Sequence, residues 1–178
     1  MDTSDQQALL RLARQSLNAG VSRTRVPDAQ ILAEAPNHGA FVTIYKPGRE
    51  LRGCIGTFAG GTPLAETVAR MAIAAALEDP RFAPLSIDEL LTVSLEVSLL
   101  SATSSCRAEA IVVGEHGVTL KRGFLRSVFL PKVATEQGWS REELLRQLAR
   151  KANLPPEAWA WAGTELAIFT AEVFAEGQ

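Results

Sequence analysis

The run from Thr92 to Leu99 alternates without a break: Val93, Leu95, Val97 and Leu99 are apolar, while Thr92, Ser94, Glu96 and Ser98 are polar. Side chains of an extended strand point to opposite faces in turn, so this run reads as a strand with one face on a core and the other on water or a cleft. A sheet divided in that way is characteristically antiparallel, because strands of parallel sheets are buried on both faces and read as continuous apolar runs.

The segments around this strand fit that expectation. Leu9, Leu10, Ala13 and Leu17 recur at helical spacing and predict an amphipathic first helix from about Ser4 to Leu17. Pro27, Pro36 and Pro47-Gly48 punctuate a turn-rich approach to two strands, Ala40 to Tyr45 and Leu51 to Phe58, which are expected to pair as a hairpin. Thr62 as N-cap and Pro63 at the first helical position open a helix to about Glu78, with Leu64, Val68, Met71, Ala72 and Ala75 as its packing stripe. Asp79-Pro80 stops it, since the residue before proline is pushed out of helical conformation. Ser86 to Glu89 reads as a capping box for one short helical turn, and Ser101 to Glu109 as a polar linker. Short strands near Gly117 to Lys121 and Leu125 to Leu130 flank a turn at Arg122-Gly123. A second capping box at Ser140 to Glu143, with Trp139 stapled onto Leu144, starts a helix that closes at Arg150-Lys151 before Pro155-Pro156. A single last strand is expected from Leu166 to Phe174. Helices and strands do not alternate regularly, so the fold class is α+β, with a mainly antiparallel sheet flanked by helices.

Composition narrows the partners. The 178 residues carry 18 basic and 20 acidic side chains, a net charge of -2, which argues against a surface built to neutralise phosphate backbones. The acidic, polar start, Met1 to Asp5, is unlike a secretory signal, and no apolar run is long enough to span a bilayer. Two cysteines, Cys54 and Cys106, do not make a disulfide framework, so a cytoplasmic location is expected.

One of those cysteines has a distinctive setting. In Leu51-Arg52-Gly53-Cys54-Ile55-Gly56-Thr57, strand alternation puts Arg52 and Cys54 on one face, where a cation beside the sulfur would favour thiolate. Gly53 and Gly56 lack the Cβ atoms that would hold off a ligand or a second backbone. The alternative is a small buried residue in a strand. Cys106 sits among Thr103, Ser104, Ser105 and Arg107 and reads as an exposed linker residue. His116, between glycines in Gly114-Glu115-His116-Gly117, is either the general base for Cys54, oriented by Glu96 or Asp79, or a turn residue bonded to backbone. Arg81 either holds an anionic substrate or fastens a loop through Asp79. Gly60-Gly61 ahead of a helix reads as a tight turn rather than a phosphate loop, because the lysine and hydroxyl residue that end a P-loop are missing. No zinc-ligand spacing occurs, and Lys121, Arg122 and Arg126 read as a solvated basic turn.

The cysteine segment resembles the signature of the AMMECR family, whose bacterial members are the AmmeMemoRadiSam system proteins A. Further blocks are similar to that family's, in the same order: Asp79-Pro80-Arg81-Phe82, Ser94 to Leu100, Gly114 to Gly117, Leu130 to Ala134 with Glu136 to Trp139, and Arg150-Lys151-Ala152, together covering about residues 38 to 176. The resemblance implies one AMMECR-like domain over residues 1–178 in two lobes with a cleft between them. The large lobe would hold about residues 1–104 and 164–178 around an antiparallel sheet, and a smaller α+β lobe about residues 105–163.

It also implies a component of a system with Memo-like and radical SAM proteins. The chain itself lacks the three-cysteine arrangement of a radical SAM cluster, so radical chemistry would belong to a partner. Two functions compete. One is covalent or acyl-transfer chemistry with Cys54 as nucleophile and His116 as base, and with Arg52, Gly53, Gly56, Arg81 and Glu96 around a small-molecule or peptide ligand. The other is a non-catalytic adaptor module binding a peptide or protein segment. The residues identify no metal site and no cofactor; nucleic acid and membrane are not expected partners.

Overall fold

Thr43, near the middle of its strand, pairs with Cys54 on one side and Glu96 on the other, and that three-strand register organises the first half of the chain. The computed structural model describes residues 1–26, 39–58 and 60–177. The turns read at Pro27 and Pro36 lie outside these described residues. The fold is α+β, with antiparallel sheets flanked by helices. The chain divides into two compact units, Met1–Leu100 with Glu172–Gln178, and Ser101–Ala171.

In the first unit, helix α1 spans Thr3–Ser22, strands β1 and β2 span Ala40–Lys46 and Glu50–Thr57, helix α2 spans Leu64–Leu77, and strand β3 spans Ser94–Leu100. The short strand β8, Ala171–Ala175, completes a four-stranded sheet in the order β2-β1-β3-β8. The apolar face of that sheet, including Val42, Ile44, Leu95 and Val97, joins Leu9, Leu12 and Leu17 of α1 and Leu64 and Val68 of α2 in one core. Asp2 caps α1 through the Asp5 amide at 2.8 Å. Arg14 of α1 secures the chain's return: its guanidinium donates to Val93 O at 2.8 Å and to the Glu176 carboxylate, which also accepts the Leu95 amide at 2.9 Å.

The start of α2 differs from the sequence reading. Pro63 is the cap residue, and the Thr62 hydroxyl lies 2.8 Å from Thr67 Oγ1 in a hydrogen bond between the two hydroxyls. The short turn after it, Ile87–Leu91, has the expected reciprocal capping box of Ser86 and Glu89.

In the second unit, β4 (Ser104–Ser105), β7 (Glu165–Phe169), β5 (Gly117–Arg122) and β6 (Leu125–Phe129) form a sheet in that order. Its core joins Val118 and Leu120 to Leu144, Leu145 and Leu148 of helix α4, Arg141–Lys151, with the short helix α3, Pro131–Glu136, contributing Ala134. Ser140 caps α4 by accepting the Glu143 amide at 3.3 Å, and Trp139 packs edge-on to Phe129 as well as against this core.

Two sequence expectations are corrected here. The stretch read as a linker contains a sheet strand, because Ser104 and Ser105 pair with Ile168 and Ala167 and the Cys106 amide donates to Leu166 O at 3.0 Å. Polar side chains say little about such an edge strand, since its pairing is entirely main-chain. The terminal strand is two strands in different sheets. It breaks at Thr170, whose amide donates to the Ser101 hydroxyl at 2.9 Å while its carbonyl accepts the Ser101 amide at 2.9 Å.

Candidate functional site

Cys54 lies on β2, an edge strand of the first sheet, so among the described residues one side of its main chain has no strand neighbour. Two side chains take that place. The Cys54 amide donates to Asp79 Oδ2 at 2.8 Å, and Arg81 Nη2 donates to the Cys54 carbonyl at 3.4 Å. Asp79 and Arg81 in turn bind each other, with Arg81 Nε to Asp79 Oδ1 at 2.9 Å and Nη2 to Oδ2 at 2.7 Å. Asp79 is buried, whereas the Arg81 side chain is 54% exposed. The Arg81 hydrogen bond, helped by the Cys54 and Arg81 amides and opposed by desolvation, holds the Asp79 carboxyl well below the usual carboxylate range. The loop that stops α2 therefore closes the sheet edge at Cys54, as edges are commonly protected, and leaves a guanidinium facing solvent there.

Across the sheet, the row through Cys54 is polar. Thr43 stands opposite Cys54, and its hydroxyl donates to the sulfur at 3.3 Å. Glu96 stands opposite Thr43 on the far side and is 5% exposed. Its carboxylate accepts from Arg49 Nη2 at 2.7 Å and from the Tyr45 hydroxyl at 3.3 Å, with the Arg49 guanidinium stacked 4.5 Å from the Tyr45 ring centre. Arg49 adopts a left-handed backbone, φ 61°, at the tip of the hairpin that carries Cys54. Cys54 itself is half-buried and free.

The other motif residues have structural employment. Arg52 is 7% exposed, and its fork closes on Glu89, Nε to Oε1 at 2.7 Å and Nη2 to Oε2 at 3.0 Å, so the hydrogen-bonding neighbour of the sulfur is Thr43 and the exposed cation on this strand edge is Arg81. Glu89 also accepts the Ser86 amide at 2.9 Å; Arg52 first, then Ser86, pull its carboxyl down to about 2 against the cost of burial. A Cβ on Gly53 would stand 2.2 Å from the Ala75 carbonyl, so this glycine admits the backbone of α2. A Cβ on Gly56 would meet the Phe41 ring at 2.2 Å; that ring, from the opposed residue on β1, fills the space.

His116 belongs to the second unit. Its Nδ1 accepts the Val112 amide at 3.1 Å and its own amide donates to Val112 O at 3.0 Å, so the imidazole closes a turn. With Nδ1 occupied by a donor, the neutral ring carries its proton on Nε2. Cys106 is not the exposed residue expected from its neighbours: it packs against the second core, and desolvation raises its thiol.

Thr43, Tyr45, Arg49 and Glu89 were not identified as partners from the sequence. The capping box located Glu89 but could not show that the same carboxylate receives Arg52, and strand register alone reveals Thr43. Among the described residues no three His, Cys, Asp or Glu side chains gather into a metal-binding group, and no helix is long and apolar enough to cross a membrane.

The family model described as AMMECR1 matches residues 10–174. A protein of Methanopyrus kandleri is 38% identical over 94% of this chain and 86% of its own length, and one of Methanocaldococcus jannaschii is 38% identical over 78% and 73%. The crystal structure of an uncharacterized protein from Pyrococcus horikoshii superposes with a TM-score of 0.86 at 32% identity, over 96% of this chain and 90% of that one.

Proposed function

The chain belongs to the AMMECR1 family, and on that premise we propose that it binds an anionic small molecule or peptide at Arg81 and uses Cys54 as the nucleophile of an acyl-transfer step. The observation that carries this reading is the anchoring of Cys54: its main chain is held on both polar atoms by the Asp79–Arg81 pair and its sulfur accepts the Thr43 hydroxyl. A reacting atom on a fixed strand, beside an exposed guanidinium, is the preorganisation that covalent catalysis needs. In that step the sulfur bonds to the acyl carbon of an activated acyl group, the bond to the leaving group breaks, and the thiol proton passes to solvent. The Cys54 amide is committed to Asp79 and cannot serve the developing oxyanion, which falls to the Arg81 guanidinium. The departing group takes its proton from solvent; His116, engaged through Nδ1 by the Val112 amide in the second unit, is given no part in the step. By the resemblance set out above, the acyl-transfer step serves a system with Memo-like and radical SAM partners in the cytoplasm.

The adaptor reading rests on a separate observation: Arg52, Gly53 and Gly56 are engaged by Glu89, Ala75 and Phe41, so much of the motif is used in packing. Alkylation of the whole protein by iodoacetamide, read by peptide mass spectrometry, separates the two. Catalysis requires Cys54 to react about tenfold faster than Cys106 near neutral pH and to slow in Arg81→Ala. Equal rates for the two thiols, or a Cys54 rate indifferent to Arg81→Ala, would replace the enzyme by the adaptor.

A further inference from the structure

The hairpin of the second sheet ends in an aromatic side chain that touches nothing. Phe124 follows Gly123, φ 59°, in the turn between β5 and β6 and is fully exposed; Leu125 beside it is 42% exposed. The surroundings are built, not ragged. Arg122 crosses from β5 to the segment after Trp161, donating through Nη1 to Ala162 O at 2.7 Å and to Thr164 Oγ1 at 3.0 Å, and its guanidinium lies 5.3 Å from the Trp161 ring centre. Trp161 is itself 41% exposed. Glu165, paired with Lys121 across the sheet, is neutralised by it at 3.1 Å, which leaves Arg122 and exposed Arg126 as charges of the tip without a carboxylate partner among the described residues.

We propose that this tip is a docking surface for an acidic segment of a partner protein, one that offers an apolar pocket or side chain to Phe124 and carboxylates to Arg122 and Arg126. Phe124 and the arginines of the hairpin, with Trp161 packed beside Arg122, are of the residue types that concentrate binding energy at protein interfaces, and a positive rim selects a negative partner. A lipid surface fits less well. Phe124 and Leu125 alone give only shallow insertion into a bilayer. The inference is independent of Cys54.

The test is selection of a displayed random peptide library, about 12 residues long, on the full chain, followed by affinity measurement of the enriched peptides. Enriched peptides should carry Asp or Glu flanking an aliphatic or aromatic residue. Their binding should fall about tenfold in Phe124→Ser, about fivefold in Arg126→Glu, and strongly in about 0.5 M salt. Because Phe124 makes no packing contact, Phe124→Ser should melt with the parent protein, so a lost affinity cannot be a lost fold. Peptides without acidic enrichment, or peptides indifferent to Phe124→Ser, overturn the proposal. So does Phe124-dependent binding to phosphatidylcholine vesicles containing about 30% phosphatidylserine, which would make the tip a membrane contact.

Discussion

The two cysteines mark a contrast between the two sheets. Cys54 lies on the edge of the first, where side chains hold it: Asp79 and Arg81 on the main chain, Thr43 on the sulfur. Cys106 follows the short edge strand of the second, where backbone and apolar side chains hold it, through Leu166 O and the packing around α4. Both thiols are half-buried. Their neighbours differ: burial among apolar groups raises the Cys106 thiol, while Cys54 sits among polar and charged groups, Thr43, Asp79 and Arg81. Partial burial alone therefore says little about a cysteine until the polarity of its contacts is known.

The largest effect that would sharpen this contrast is on stability. Gly53→Ala should cost about 3 kcal/mol, because the new methyl meets the Ala75 backbone, which cannot move without shifting α2. Gly123→Ala, in open space at φ 59°, should cost only about 1 kcal/mol of backbone strain. Denaturant melts of the two variants check the pair, and similar costs would deny the first sheet its tighter helix packing.

Next comes Glu89→Ala, which leaves the buried Arg52 guanidinium without its anion and should cost about 2 kcal/mol after allowance for Glu89's partial exposure. Arg52→Met combined with Glu89→Ala should recover much of that loss. The same pair makes the first unit acid-sensitive. Both Asp79 and Glu89 are depressed in the folded state, so their stabilisation is complete above the ordinary carboxylate range and is lost as pH falls from about 4.5 toward Glu89's value of about 2. All three tryptophans, Trp139, Trp159 and Trp161, lie in the second unit and report on it alone. On acidification, pepsin should cut within β2 and α2 before tryptophan emission shifts; simultaneous loss would erase the contrast.

A smaller effect is expected at the sulfur. Thr43→Val removes the hydroxyl donor with little change of shape and should slow Cys54 alkylation about threefold, leaving Cys106 untouched. The smallest is Arg146→Ala on α4. Its exposed pair with Glu142 should contribute about 0.4 kcal/mol, close to the limit of a thermal melt.

Much of the architecture follows from local pattern. The alternation of Thr92 to Leu99 yields β3, Pro47-Gly48 turns one hairpin and Gly123 the other, and the serines at 86 and 140 open their helical turns, because each signal acts within a few residues. The cysteine motif, its fold class and the family were legible for the same reason: they are properties of contiguous sequence. Tertiary structure decided the rest. It split Leu166 to Phe174 between two sheets at Thr170, turned a polar stretch into a sheet strand, and placed Cys106 against a core. It also gave Arg52 to Glu89 and Cys54 to Thr43, Asp79 and Arg81. Those partners come from separate strands and turns, and a side chain finds its hydrogen-bonding neighbour only after strand register and helix packing have set which distant residues stand opposite it.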